Sequence, residues 1–224
     1  MHNDKIILIG LVGLKGSGKD TMADIFVQNH GFVKRSYADP LKEACKALFT
    51  LDDAQLWGEL KEVKDERWDG CTPRQILQFV GSDLLRDQLH EIMPTIGKTI
   101  HVHNMKLWLD ENLPKHQRVI IPDCRFKNEI DLIKSMGGTI IKINREVITN
   151  KVRKLLEESE SESDSDSESN VESNNTSKEK TLALHQSEVA LFNFTEYDYL
   201  FENREGQMDA LTQFVTSWIS KHET

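Results

Sequence analysis

Short, wholly apolar runs alternate along this chain with stretches of helical periodicity. Residues 6–11 are continuous apolar sequence, rich in isoleucine, the pattern of a central parallel strand buried on both faces. Residues 19–30 place Met22, Ala23, Ile25, Phe26 and Val27 at helical spacing, and Gly31 stands where a helix C-terminal glycine belongs. A second strand is expected over 32–38. Asp39-Pro40 has the form of an N-cap followed by proline in the first helical position, opening a helix to about residue 49. Helical sequence continues over 53–64. Thr72-Pro73 repeats the cap-plus-proline signal and opens a helix over 74–90 with a break near Gly81; 97–113 is helical again. Residues 119–122 form a short apolar strand ending at Asp123, 126–136 a helix closed by Gly137-Gly138, and 139–143 a strand ending at Asn144-Arg145. The last strand is expected over 197–202 and the last helix over 207–220. Strands alternating with helices predict an α/β fold with a mostly parallel five-stranded sheet.

One segment breaks the pattern. Residues 159–175 alternate serine with acid and hold a single apolar residue, Val171. Such a stretch buries too little surface to offset the entropy of ordering it. It predicts a disordered insertion over about 156–180, inside the domain because a strand and a helix follow. Ser159, Ser161, Ser163 and Ser165 each precede an acid by three positions, a pattern an acidophilic kinase would modify, although a solvated spacer is the preferred reading. Glu157, Glu158, Glu160, Glu162, Asp164, Asp166 and Glu168 lie together with no base among them; removing these seven acids takes the formal charge from −9 to −2. The remainder is near neutral and has room for a positive pocket. A mainly electrostatic nucleic-acid binder needs a basic surface, so that class is disfavoured. Cys45, Cys71 and Cys124 are odd in number and widely spaced, which argues against a disulfide framework or a zinc site and fits a reducing, cytoplasmic setting. The longest apolar run, 6–14, is far short of a bilayer span and lacks a following cleavage site, so no membrane association is expected.

Gly13-Leu14-Lys15-Gly16-Ser17-Gly18-Lys19-Asp20-Thr21 matches G-x-x-x-x-G-K of the phosphate loop. Glycines let the backbone curl so that successive N–H groups point at phosphate oxygens. The helix starting at Lys19 adds its positive dipole end. Lys19 should reach the β- and γ-phosphates. Asp20 replaces the usual Ser or Thr and would repel a triphosphate unless a metal lies between them, so it is expected to hold Mg²⁺ directly or through water. Thr21 is placed to donate to the α-phosphate.

The 119–123 strand delivers Asp123 to the carboxyl edge of the sheet, where open α/β folds bind ligands. Asp123 is a candidate for Mg²⁺ or for orienting the acceptor, and Arg125 for a phosphate. Asp39 and Lys42 follow the second strand to the same edge, with helix capping and a solvated lysine as equal alternatives. Arg74 and Gln78 lie one helical turn apart and offer a fork for phosphate and an amide for a base edge. Arg86, twelve positions from Arg74 in sequence, falls about 120° away round an ideal α-helix and joins them only if the helix bends. His101 and His103 lie in helical sequence without a third ligand, and Trp57, Trp68, Trp108 and Trp218 read as core.

On these residues the chain resembles the deoxynucleoside monophosphate kinases of large DNA viruses and phages. The resemblance covers most of the chain outside the acidic insertion. It rests on 16–21, on Ala38-Asp39-Pro40-Leu41-Lys42-Glu43, on Thr72-Pro73-Arg74 with Leu77-Gln78, Gly81 and Arg86, and on Asp123-Cys124-Arg125-Phe126 with Asn128-Glu129. His185 with Ser187-Glu188, and Asp198-Tyr199 with Asn203, complete it. The resemblance implies a P-loop fold of three layers, MgATP as donor and a deoxynucleoside monophosphate as acceptor. It implies a helical substrate-binding region at 40–116 and a lid at 145–190, with Arg145 serving the transferring phosphoryl and His185 and Glu188 in the lid. It puts Arg74, Gln78, Arg86 and Arg125 around the monophosphate, and the adenine near Asn203 and Gly206. Homodimerisation is consistent with the family, as is a host-cytoplasmic location for a viral protein. The Gly-Lys-Asp loop is shared with phosphomevalonate-type kinases, so another phosphorylated acceptor, or a nucleotide-binding switch, remain as alternatives.

Overall fold

The computed structural model describes the backbone of residues 6–161, 191–192, 194–204 and 208–222. Chain packing divides it into two units, Met1–Lys34 with His116–Thr224, and Arg35–Lys115.

The first unit is built on five parallel strands in the order β2-β3-β1-β4-β5. They are β1 (Ile7–Val12), β2 (Val33–Lys34), β3 (Arg118–Cys124), β4 (Thr139–Asn144) and β5 (Tyr199–Glu202). Every residue of β1 is buried, as a wholly apolar central strand requires. Alternate β1 residues Ile7, Ile9 and Leu11 pack on helix α1 (Lys19–His30) and on the C-terminal helix Met208–His222, through Met22, Phe26, Leu211, Val215 and Trp218. Phe26 and Trp218 meet edge to face at 5.8 Å. The opposite face of β1 carries helix Lys127–Ser135, which approaches so closely that a side chain at Gly10 would lie 2.6 Å from Ile133 Cδ1. The result is helix, sheet, helix, the three layers expected.

The second unit is helical: α2 (Asp39–Phe49), α3 (Asp53–Leu56), α4 (Pro73–Gln78), a ten-residue π-helical stretch Phe79–Gln88, and α5 (Ile100–His116), joined by 3₁₀ turns. In chain order the helices that follow are α6 (Lys127–Ser135), α7 (Glu146–Ser161) and α8 (Met208–His222). The core of the second unit gathers Cys45, Leu51, Leu56 and Leu77 against Leu41, Phe49, Trp68 and Val80. A buried Asp65 accepts from Gln55 Nε2 (2.8 Å) and from the Arg67 guanidinium (2.6 Å), and Arg67 holds this carboxyl well below the usual range.

Several boundaries differ from the sequence reading, each for a local reason. The second strand is two residues rather than seven, because Ser36 N–H turns back to donate to Asp39 Oδ2 (2.8 Å). That bond moves the helix cap to Ala38, so Asp39 is the first residue of α2 and Pro40 the second. The 53–64 helix breaks after Leu56, where Gly58 packs against Ala54 backbone, and resumes as a 3₁₀ turn at Glu59–Glu62. β3 runs on through Asp123 to Cys124, and β5 starts at Tyr199 rather than 197. The backbone is helical to Ser161, and the rest of the expected insertion, residues 162–180, lies outside the described residues. Among the described residues no helix is long and apolar enough to cross a membrane.

Candidate functional site

The loop between β1 and α1 closes around its own lysine. Gly18 caps α1 with a left-handed φ of +107°, and a Cβ there would sit 2.4 Å from Asn203 Nδ2. Only glycine takes that backbone at so close an approach. Lys19 Nζ donates to Gly13 O (2.7 Å) and Leu14 O (2.8 Å), so the ammonium lies within the loop. A cavity of ≈ 380 Å³ opens on this loop, lined by Gly16, Gly18, Lys19, Asp20 and Thr21 from the loop and α1. Arg145, Asn203, Arg204, Met208 and Leu211 line its remaining wall. Arg145 Nη1 donates to Gly16 O (3.3 Å), and Asn203 Nδ2 donates to Ser17 O (2.7 Å) while its backbone N–H donates to Asn144 O (2.7 Å). The strand ends of β4 and β5 are thereby tied to the loop. The Ser17 hydroxyl is buried with no hydrogen-bond partner among the described residues, an arrangement that normally needs a ligand or water to explain it.

Asp123 reaches the same edge through an irregular strand. β1 and β3 pair Gly10 with Ile121 but Val12 with Cys124, so one extra residue is inserted in β3. Pro122 lacks an N–H and belongs at such a bulge. Beyond it, Glu129, although only 3% exposed, accepts from the backbone N–H of Arg125 (2.8 Å) and of Phe126 (3.1 Å). This buried carboxylate therefore fixes the turn after β3 that carries Arg125, two residues beyond Asp123. The fully buried Cys124 thiol is pushed well up, first by burial, then by the Glu129 and Asp123 carboxylates, with Lys19 acting oppositely. Those three charges thus share one electrostatic neighbourhood.

In the second unit Thr72 caps α4 in a capping box with Gln75, as the Thr-Pro signal predicts. Arg74 donates through Nε to Glu62. Lys42 lies 5.2 Å from the exposed Trp57 ring, in cation–π geometry, and Asp39 is engaged with Ser36 N–H. His101 is helical; its Nε2 lies 3.1 Å from Gly81 O, and its pKa is lowered, mainly by burial, with the Arg86 cation adding to the effect.

The structure thus brings Gly16, Gly18, Lys19, Asp20, Thr21, Arg145 and Asn203 to one cavity, while Asp123 and Lys19 both act on the Cys124 thiol. Gly206, His185 and Glu188 lie outside the described residues. Sequence reasoning gave no role to Arg204, Met208 or Leu211, which line the cavity, nor to Glu129. Glu129 had a signal: an acid at the third position of a helix answers backbone N–H groups at its start.

Sheet order, loop and the lysine inside it define a P-loop fold. A solved sugar kinase from Janibacter sp. shares that fold with a TM-score of 0.50 at 13% identity, covering 97% of this chain and 96% of that one. No protein-family profile matches the chain. Over 149 residues, 65% of this chain and 77% of the relative, it is 52% identical to a protein of Acanthamoeba polyphaga mimivirus named deoxynucleotide monophosphate kinase. The deoxynucleotide monophosphate kinase of Enterobacteria phage T4 is 25% identical over 195 residues, 62% of this chain and 81% of that one. The chain belongs to the deoxynucleotide monophosphate kinase family and is a phosphotransferase.

Proposed function

We propose that this enzyme transfers the γ-phosphoryl group of ATP to the phosphate of a deoxynucleoside monophosphate, supplying diphosphates as DNA precursors. The observation that carries the reading is the ≈ 380 Å³ cavity in which Lys19, Arg145 and the N-terminus of α1 converge around the loop. A triphosphate needs such convergent positive charge and N–H donors. Its oxygens would also satisfy the buried Ser17 hydroxyl.

An oxygen of the acceptor phosphate attacks the γ-phosphorus, the bond from that phosphorus to the β–γ bridging oxygen breaks, and ADP leaves. The acceptor is already anionic near neutral pH, so positioning and charge neutralisation dominate. Lys19 leaves its loop carbonyls for the β- and γ-phosphates, and Arg145 neutralises the transferring group. Arg125, Arg74, Gln78 and Arg86 take the acceptor, with Asp39 and Lys42 supporting them. Asn203 holds the loop beside the adenine end, against the apolar wall of Met208 and Leu211.

Among the described residues no group of three or more His, Cys, Asp or Glu is arranged to hold a metal. Mg²⁺ is ordinarily held by one or two carboxylates plus substrate phosphates rather than by a protein cage, and Asp20 in the cavity, with Asp123 at the end of β3, fits that pattern. Bound there with the nucleotide, it would supply charge neutralisation at the phosphoryl oxygens.

The test is ADP release from MgATP with each common deoxy- and ribonucleoside monophosphate in turn. Release dependent on one or a few deoxynucleoside monophosphates is expected. ATP binding without release on any monophosphate would remove the reading and leave another phosphorylated acceptor or a nucleotide-binding switch.

A further inference from the structure

A π-helix is rare and short, usually a single turn inside an α-helix, and concentrates at functional sites. Here i→i+5 bonding runs for ten residues, Phe79–Gln88, directly after α4. The stretch is gripped at one residue from two sides. Leu41 of α2 packs so closely on Gly81 that a Cβ there would lie 2.5 Å from Leu41 Cδ2. From α5, His101 Nε2 lies 3.1 Å from Gly81 O. A carbonyl only accepts, so Nε2 must carry the proton and donate.

The widened turn has a consequence for Arg86. Were the helix α throughout, Arg86 would stand about 120° round the axis from Arg74. A π-helix takes roughly 4.4 residues per turn, and eight such steps after Gln78 bring Arg86 to within about 25° of Arg74. Gln78 lies within about 40° of Arg74 by the α-helical repeat. The change of helix type therefore gathers two guanidinium groups and an amide on one face. Arg74 and Arg86 are half-buried there, and the bond from Arg74 Nε to Glu62 fixes the turn of its guanidinium.

We propose that Gly81 and His101 are positioning residues for the acceptor phosphate: they hold Phe79–Gln88 in the π form, and the π form sets Arg86 in register with Arg74 and Gln78. The inference rests on the proposed function for the identity of the anion, and on geometry alone for the register. At Gly81 the missing side chain lets Leu41 Cδ2 lie against the helix backbone, and a Cβ there would push it away. His101 supplies the second hold through a donated N–H, and that bond is the part a substitution can remove and restore.

The test is a cycle of His101→Ala, Arg86→Ala and the double variant, read as KM for the deoxynucleoside monophosphate, KM for MgATP and kcat. His101→Ala is expected to raise the acceptor KM about tenfold, the effect of losing one buried hydrogen bond, and to leave the MgATP KM unchanged. His101→Gln, which can still donate to Gly81 O, should recover most of the loss. If His101 acts through Arg86, the double variant is no worse than Arg86→Ala alone. Independent multiplication of the two effects, or an equal rise in both KM values, overturns the inference. Should His101→Ala fail to fold, Leu41→Val, which shortens the grip on Gly81, carries the same expectation. A crystal structure of either variant decides the register without any turnover: Phe79–Gln88 should revert to i→i+4 bonding with Arg86 swung off the Arg74 face, and retention of the π form refutes the proposal. An inactive wild-type enzyme would instead refute the assigned acceptor and leave that structural result standing.

Discussion

Replacing Glu129 should separate the stability of the Asp123–Arg125 turn from its chemistry. The carboxylate is 3% exposed and accepts two backbone N–H groups, at 2.8 Å and 3.1 Å. Glu129→Ala strands both amides in a buried turn, at about 1–3 kcal/mol each, and deletes one buried methylene at roughly 0.8 kcal/mol. Partial entry of water reduces the sum, so about 3–5 kcal/mol of unfolding free energy should be lost. Glu129→Gln keeps an acceptor oxygen in place but removes its charge. Charge-assisted bonds are about twice as strong as neutral ones, so this variant should lose only about 1–2 kcal/mol. Urea unfolding at neutral pH measures both, the midpoint shifting with the slope constant. In kinetics, Glu129→Gln should raise the acceptor KM more than the MgATP KM, because the turn it holds carries Arg125 while the phosphate loop keeps its own bonds. A Glu129→Ala protein within about 0.5 kcal/mol of wild type would refute this account, since so small a loss is typical of surface substitutions.

What could be read from the sequence was what depends on near neighbours. The strand at β1, the glycine at position 31 and the Thr72 cap each follow from a few adjacent residues, and the structure has all three. The phosphate loop was legible for the same reason: its curl is set by its own glycines. Features set by distant residues were not. The bulge at Pro122 depends on how β3 aligns with β1, which pattern alone cannot fix. Asp39 looked like a cap because its side chain suits one, but Ser36 N–H takes that carboxylate and shifts the helix start by one residue. The break expected near Gly81 is instead a change of helix type, at the residue that Leu41 and His101 meet from separate helices. The Asn203 amide bond to Ser17 O, between residues 186 positions apart, is likewise a contact that no local pattern shows.

Three further outcomes are expected. Lys19→Ala removes a cation that lines the cavity and should lower kcat at least about 100-fold, by comparison with loss of other preorganised electrostatic donors; steady-state ADP release measures it, and near-normal turnover would exclude Lys19 from the chemistry. Asn203→Ala breaks the 2.7 Å bond to Ser17 O and should weaken MgATP binding about five- to tenfold, seen by calorimetry, with the acceptor KM unmoved. The last concerns pH. Burial, reinforced by the Arg86 cation, lowers the pKa of His101 below its ordinary 6.5, while its bond to Gly81 O works the other way. The folded protein therefore keeps this ring neutral at pH values where the unfolded chain has already taken up a proton. Below pH 6.5 the unfolded state binds more protons, so stability falls with decreasing pH until the folded ring titrates. His101→Gln removes this contribution. The wild-type protein should lose stability relative to His101→Gln as pH drops from 7.5 to 5.5, with the difference constant above pH 7.5. Urea midpoints across that range test it, and a difference independent of pH would mean that the ring is protonated alike in both states.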